Sequence, residues 1–152
     1  MYNILVDVHS IGRWVVLLLL LIALFKSMSA GNRAYDNGDR KVGLFLTIAA
    51  DLMLLIGLYL WAAGDWGLKR IQELGMGGVM ENDSIRFYAI EHMVGMLIAI
   101  ALLHIGKAQG KKSVPDRVKH RRSAIFYALG LLVMLATIPW PFREVGAGRG
   151  WF

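Results

Sequence analysis

The sequence predicts an all-α protein, an integral membrane up-down four-helix bundle, and three observations point there. Four apolar segments, approximately 8–27, 42–62, 87–106 and 123–139, each approach the roughly 20 residues that cross a bilayer core. At 57% hydrophobic residues and a mean hydropathy of +0.51, the chain is too apolar for a soluble domain of 152 residues. Its basic residues also cluster on alternate connections, as they do in a protein that threads a membrane. A single transmembrane domain, 1–152, uses the whole chain and leaves no room for a soluble catalytic unit.

The first segment has no basic stretch ahead of it and no small-x-small site behind it, so it reads as a retained span and not a cleavable leader. Gly31-Asn32-Arg33 through Asp39 is a short, turn-rich connection, which makes segments one and two antiparallel neighbours. After segment two, residues 66–74 carry Leu68, Ile71 and Leu74 at helical spacing with charges between them. That is the pattern of a short amphipathic helix on the membrane surface, broken by Met76-Gly77-Gly78-Val79; an irregular loop is the alternative. Residues 108–118 form a short basic connection into segment four. Pro139-Trp140-Pro141 ends that segment, with Trp140 suited to the headgroup belt.

Lys26, Arg33, Arg40 and Lys41 flank the first connection, and Lys107, Lys111, Lys112, Arg117, Lys119, Arg121 and Arg122 flank the third. Eleven of the 17 basic residues therefore share one side. The other side carries Lys69, Arg70, Arg86, Arg143 and Arg149, diluted by acidic residues. This positive-inside pattern predicts a bacterial inner-membrane protein with both termini on the outer, periplasmic side. It also accounts for the net charge of +6 without nucleic acid as a partner. With no cysteine, the chain has no disulfide, thiolate zinc site, iron–sulfur cluster or covalent haem attachment.

Two histidines stand out: His9-Ser-Ile-Gly12 and His92-Met-Val-Gly95 each place an imidazole three residues before a glycine near the outer end of a span. An ionisable side chain inside a membrane is a functional-site hypothesis by default, because lipid cannot solvate it. Measured from the basic residues Lys26 and Lys107, His9 stands 17 residues up and His92 15, or roughly 25 and 22 Å. Gly57, 16 residues above Lys41, shares their level. Segments one and three are diagonal in an up-down bundle. Gly12, Gly57 and Gly95 therefore predict a slot with His9 and His92 facing across it as axial ligands to the iron of one non-covalent haem b. Arg13, one turn deeper than His9, needs an anion: either Glu91 in an ion pair or the haem propionates. Glu91 is alternatively the acceptor that orients a ligating imidazole.

The other polar residues carry blander readings. Asp51, near the bilayer centre with no basic residue at its level, reads as a protonated, hydrogen-bonded carboxyl, or more sharply as a proton-relay or quinone-facing group. His104 reads as an interfacial histidine, with a second-haem ligand as the weaker alternative, and His120 as solvated. Met53, Met93, Met96 and Met134 read as lipid-facing or packing residues, Met96 being the best candidate for an axial ligand among them.

His9-Ser-Ile-Gly-Arg-Trp14, Gly38-Asp-Arg-Lys-Val-Gly-Leu-Phe45, Glu91-His92 and Ile138-Pro-Trp-Pro-Phe142 together resemble a family of small four-helix membrane proteins of the Bacteroidetes and their relatives, often labelled cytochrome b. The resemblance spans nearly the whole chain and implies a b-type haem protein of the respiratory membrane. The large cytochrome b of quinol–cytochrome c reductases differs in carrying two histidine pairs on two helices. The expected function is electron transfer between the quinone pool, or a membrane-protein partner in a larger respiratory complex, and an outer-face carrier, as an electron-transfer subunit more than a stand-alone enzyme. The competing expectations are a cofactor-free accessory subunit, a zinc or copper site on His9, His92 and Glu91, and, least favoured, a transporter.

Overall fold

The computed structural model describes residues 2–146, so Arg149 lies outside the described residues. Every regular element among them is helical: α1 (Tyr2–Met28), α2 (Asn37–Ala63), α3 (Leu68–Glu81), α4 (Asp83–Arg86), α5 (His92–Ala108) and α6 (Asp116–Thr137). One π-helical turn, Phe87–Glu91, joins α4 to α5, and 3₁₀ turns occupy Gln109–Lys111 and Glu144–Gly146.

The four long helices pack in a ring. α1 lies against α2 and α6, and α5 lies against the same two, so α1 and α5 are diagonal. Contacts along the seams set the directions. Lys26 meets Asp39 at one end of the α1–α2 pair and His9 meets Gly57 toward the other, while Gly106 and Gly95 of α5 approach Tyr127 and Thr137 of α6. Sequential neighbours are therefore antiparallel. The centre is filled by Leu20, Leu46, Leu103, Tyr127 and Met134 with the small residues Ala23, Ala50 and Ala99 between them, while Leu18, Phe25, Phe45, Leu55 and Leu132 point outward. An apolar interior wrapped in an apolar exterior is what a helical assembly shows when its solvent is lipid.

α1, α2 and the continuous helical stretch Asp83–Lys111 are long and apolar enough to cross a membrane. α6 is not, because its first two turns hold Asp116, Arg117, Lys119, His120, Arg121 and Arg122 and only the residues from Ser123 onward are apolar. The fourth expected span, 123–139, thus starts as a charged helix at Asp116 and ends at Thr137, where Ile138 turns extended ahead of Pro139.

The ends have local causes. Gly31 takes a φ of 56° after α1, a left-handed conformation open to glycine, and Asp36 caps α2 by accepting from Asp39 N while the Asp39 carboxylate accepts from Asp36 N. Arg33 then grips Asp39 with both guanidinium nitrogens at 2.8 Å. The surface helix is longer than its apolar spacing indicated. Met76–Val79 is helical, and the break falls at Gly75, whose φ of 66° kinks α3.

His120, expected in solvent, is instead buried to 2% exposure beneath Tyr35, ring centroids 4.9 Å apart, with neither ring nitrogen hydrogen-bonded. The early start of α6 carries it inward. Burial pushes the neighbouring Tyr35 phenol above its usual range.

Candidate functional site

His92 follows the π-helical turn directly, and its own N–H closes that turn on Phe87 O. The extra residue in such a turn rotates everything after it relative to a regular helix, so the bulge aims His92 inward. Trp61 of α2 locks the turn by donating its Nε1–H to Ala89 O at 2.8 Å. His92 Nδ1 lies 2.7 Å from Thr137 O. A carbonyl can only accept, so Nδ1 carries the proton and the lone pair sits on Nε2.

His9 approaches from α1 and lies on bare α2 backbone: a Cβ at Gly57 would stand 3.1 Å from His9 Cε1. Its Nδ1 is buried with no hydrogen-bond partner. Buried imidazole nitrogens are seldom left unsatisfied, and each costs about 1–3 kcal/mol if they are. The two rings meet with centroids 6.3 Å apart and planes at 82°.

That spacing has a chemical meaning. With ring C–N bonds of about 1.33 Å, the centre of a five-membered ring is about 1.1 Å from each nitrogen. A metal–imidazole bond is about 2.0–2.1 Å, so two imidazoles on opposite sides of one metal have centroids about 6.2–6.4 Å apart. His9 and His92 stand at that separation, which is also that of an edge-to-face pair in direct contact.

They line a cavity of about 460 Å³ between the four long helices. Trp61, Leu54, Leu58, Ile100, Met53, Met93, Met96 and Met134 supply apolar walls, and Asn3, Asp7, Ser10 and Arg13 supply polar groups. A concave, largely apolar volume with a few convergent polar groups is the usual form of a small-molecule or cofactor site. The four methionines expected toward lipid or packing all face this cavity.

No family model matches the chain, and neither a curated protein nor a solved structure matches it. Its reading rests on its own geometry.

The residues singled out in the sequence divide into three groups. His9, Arg13, Gly57 and His92 converge on the cavity. Gly12 and Gly95 serve helix packing: a Cβ on Gly12 would strike the Met53 thioether, and one on Gly95 would strike the Thr137 side chain. Glu91 does not meet Arg13. It pairs with Arg86 at 2.7 Å on the surface, because the π-helical turn swings it outward. Arg13 lies over the Trp14 and Trp140 rings at 5.4 and 5.9 Å. Trp140 also packs on Trp14, centroids 6.0 Å apart. Among the described residues no three His, Asp or Glu side chains gather as a metal site, so the geometry gives a zinc or copper centre on His9, His92 and Glu91 no support.

Asp51 has a partner after all. His104 Nε2 is 2.9 Å from Asp51 Oδ1. The Lys107 stem runs past Gly43 before its Nζ reaches Thr47, so α5 sits about two residues, roughly 3 Å, higher against α2 than the flanking lysines suggest, and the Asp51 and His104 side chains span the rest. Long lysine stems make poor depth markers because they snorkel. Thr137 and Trp61 were invisible as site residues in the sequence, since one acts through its backbone and the other through a turn whose π geometry has no sequence signature.

Proposed function

We propose that this chain is a b-type haem protein: an up-down four-helix membrane bundle that holds one haem b between His9 and His92 and passes electrons between the quinone pool, or a respiratory partner, and a carrier at the outer face. The observation that carries this reading is the pair of imidazoles, ring centroids 6.3 Å apart, that together line a cavity of about 460 Å³. His9 and His92 would hold the haem, which would supply one-electron chemistry when bound.

The chain's own residues then have definite tasks. Thr137 O holds the Nδ1 proton of His92, which fixes the tautomer and keeps Nε2 available as a ligand. Gly57 lets the His9 ring lie against α2. Arg13, at the cavity wall, offers a guanidinium to the anionic edge of a porphyrin. Trp61 and the methionines exclude water and keep the site apolar. The basic residues flanking the first and third connections support an inner-membrane location with both termini outside.

The alternative is a cofactor-free accessory subunit, and the packing of Gly12 on Met53 and Gly95 on Thr137 favours it, since both contacts tighten helix seams. A detergent-solubilised sample separates the two. A reduced-minus-oxidised α-band lost in both His9→Ala and His92→Ala is the expected result. A colourless protein, or an unaltered low-spin spectrum in either variant, overturns the haem reading.

A further inference from the structure

The Asp51–His104 pair lies outside the cavity, on the outward face of the α2–α5 seam. Its side chains are 48% and 45% exposed. Ile48 and Leu55, one turn to either side of Asp51, and Ala101 and Ile105 beside His104 are exposed and apolar. The pair is thus a polar island in a face that α2's composition assigns to lipid.

Its depth restricts what can reach it. Asp51 is 14 residues from Asn37 and 12 from Ala63 in a 27-residue helix, so it stands roughly 20 Å from either end. A bilayer core is about 30 Å thick, which leaves charged lipid headgroups and water-soluble substrates at its margins, far from this level. A carboxylate and an imidazole exposed at such depth are costly, and such groups mark ligand or proton pathways.

We propose that Asp51 and His104 bind the head of a membrane-dissolved quinone or hydroquinone. This inference rests on the electron-transfer reading above for its choice of ligand class. The occupant has to be uncharged to enter the hydrocarbon and has to carry an oxygen that hydrogen-bonds, and quinones meet both conditions. When the Asp51 carboxylate accepts from Nε2–H, the lone pair of His104 lies on Nδ1 and accepts a hydroquinone O–H. With the ring protonated, the same Nδ1–H donates to a quinone carbonyl. One pair therefore serves both redox forms. Gly57, under the His9 ring, is six residues away along α2, about 9 Å.

The test uses the full chain in lipid nanodiscs with a photoreactive short-tailed azido-naphthoquinone, mapped by mass spectrometry after illumination. Labelling is expected to concentrate on residues 48–55 and 101–105, to be competed by unlabelled naphthoquinone, and to drop at least tenfold in Asp51→Leu and His104→Leu. Asp51→Asn, nearly unchanged in shape, is to show the same loss, and circular dichroism checks the helix content of each variant. Labelling within twofold of the parent in a folded variant, or labelling scattered over the outward faces of all helices, overturns the proposal. So does a seam covered by a second copy, seen as copy-to-copy crosslinks from a photoreactive residue at Leu52 without quinone labelling. The haem absorbance of the same sample separates the two readings. Specific labelling without a haem band refutes only the haem, and a haem band without specific labelling refutes only this site.

Discussion

At the scale of single residues, glycines that look equivalent in the sequence do different jobs. Gly57 bears on His9, so Gly57→Val pushes on the imidazole while the outer helix faces stay intact. Haem occupancy, read from the α-band, is expected to fall sharply while Tm changes little. Gly95 bears on Thr137 across the α5–α6 seam. Gly95→Leu is expected to cost about 1–3 kcal/mol or more by overpacking, seen as a lowered Tm in a detergent melt. Equal effects of the two substitutions would falsify this division. His120 offers the opposite case. Its two ring nitrogens are buried without partners, each at a desolvation cost of about 1–3 kcal/mol. His120→Leu, similar in volume, is expected to raise Tm; a lowered Tm means that the imidazole meets a bound water or ion that stabilises it.

At the scale of elements, the helix ends at the basic side are the most heavily specified. Asp36 and Asp39 form a reciprocal capping box that Arg33 reinforces from the preceding loop. Asp36→Ala removes the cap and one side of that network, at an expected cost of about 0.5–2 kcal/mol in denaturant or thermal unfolding. The π-helical turn before His92 is the other critical element. It sends Glu91 to the surface and His92 to the cavity, two adjacent residues with opposite destinations. Capping signals of this kind are written in residue types and spacing. The π bulge is not, since it results from the fit of Phe87, at 1% exposure, and of Trp61 against neighbouring elements.

At the scale of the whole molecule, four helices of alternating direction put Lys26, Arg33, Arg40, Lys107 and the charged start of α6 at one end and α3 with the His9–His92 pair toward the other. Cysteines at Ser113 and Gln72, both exposed, report the sidedness. A membrane-impermeant thiol reagent applied to intact cells is expected to label Gln72→Cys and to spare Ser113→Cys. The reverse pattern inverts the topology and moves the His9–His92 cavity to the cytoplasmic side.

What the sequence alone determined follows from period, composition and depth. Helical class, three of the four expected apolar spans, the surface helix near 66–74 and the similar level of His9, Gly57 and His92 all come from counting residues at 1.5 Å each. What only tertiary structure decided is which faces meet. Gly12 and Gly95 have the same spacing from their histidines, yet each is covered by a neighbour, and that depends on the rotation of α1 and α5. Asp51 and His104 sit apart on a ruler zeroed at flanking lysines, yet they pair, because a small offset of α5 against α2 and the reach of both side chains close the gap. Thr137 holds His92 through a backbone oxygen that every residue type possesses. Sequence patterns carry axial position well because rise per residue is constant; azimuth and register emerge only when the helices pack.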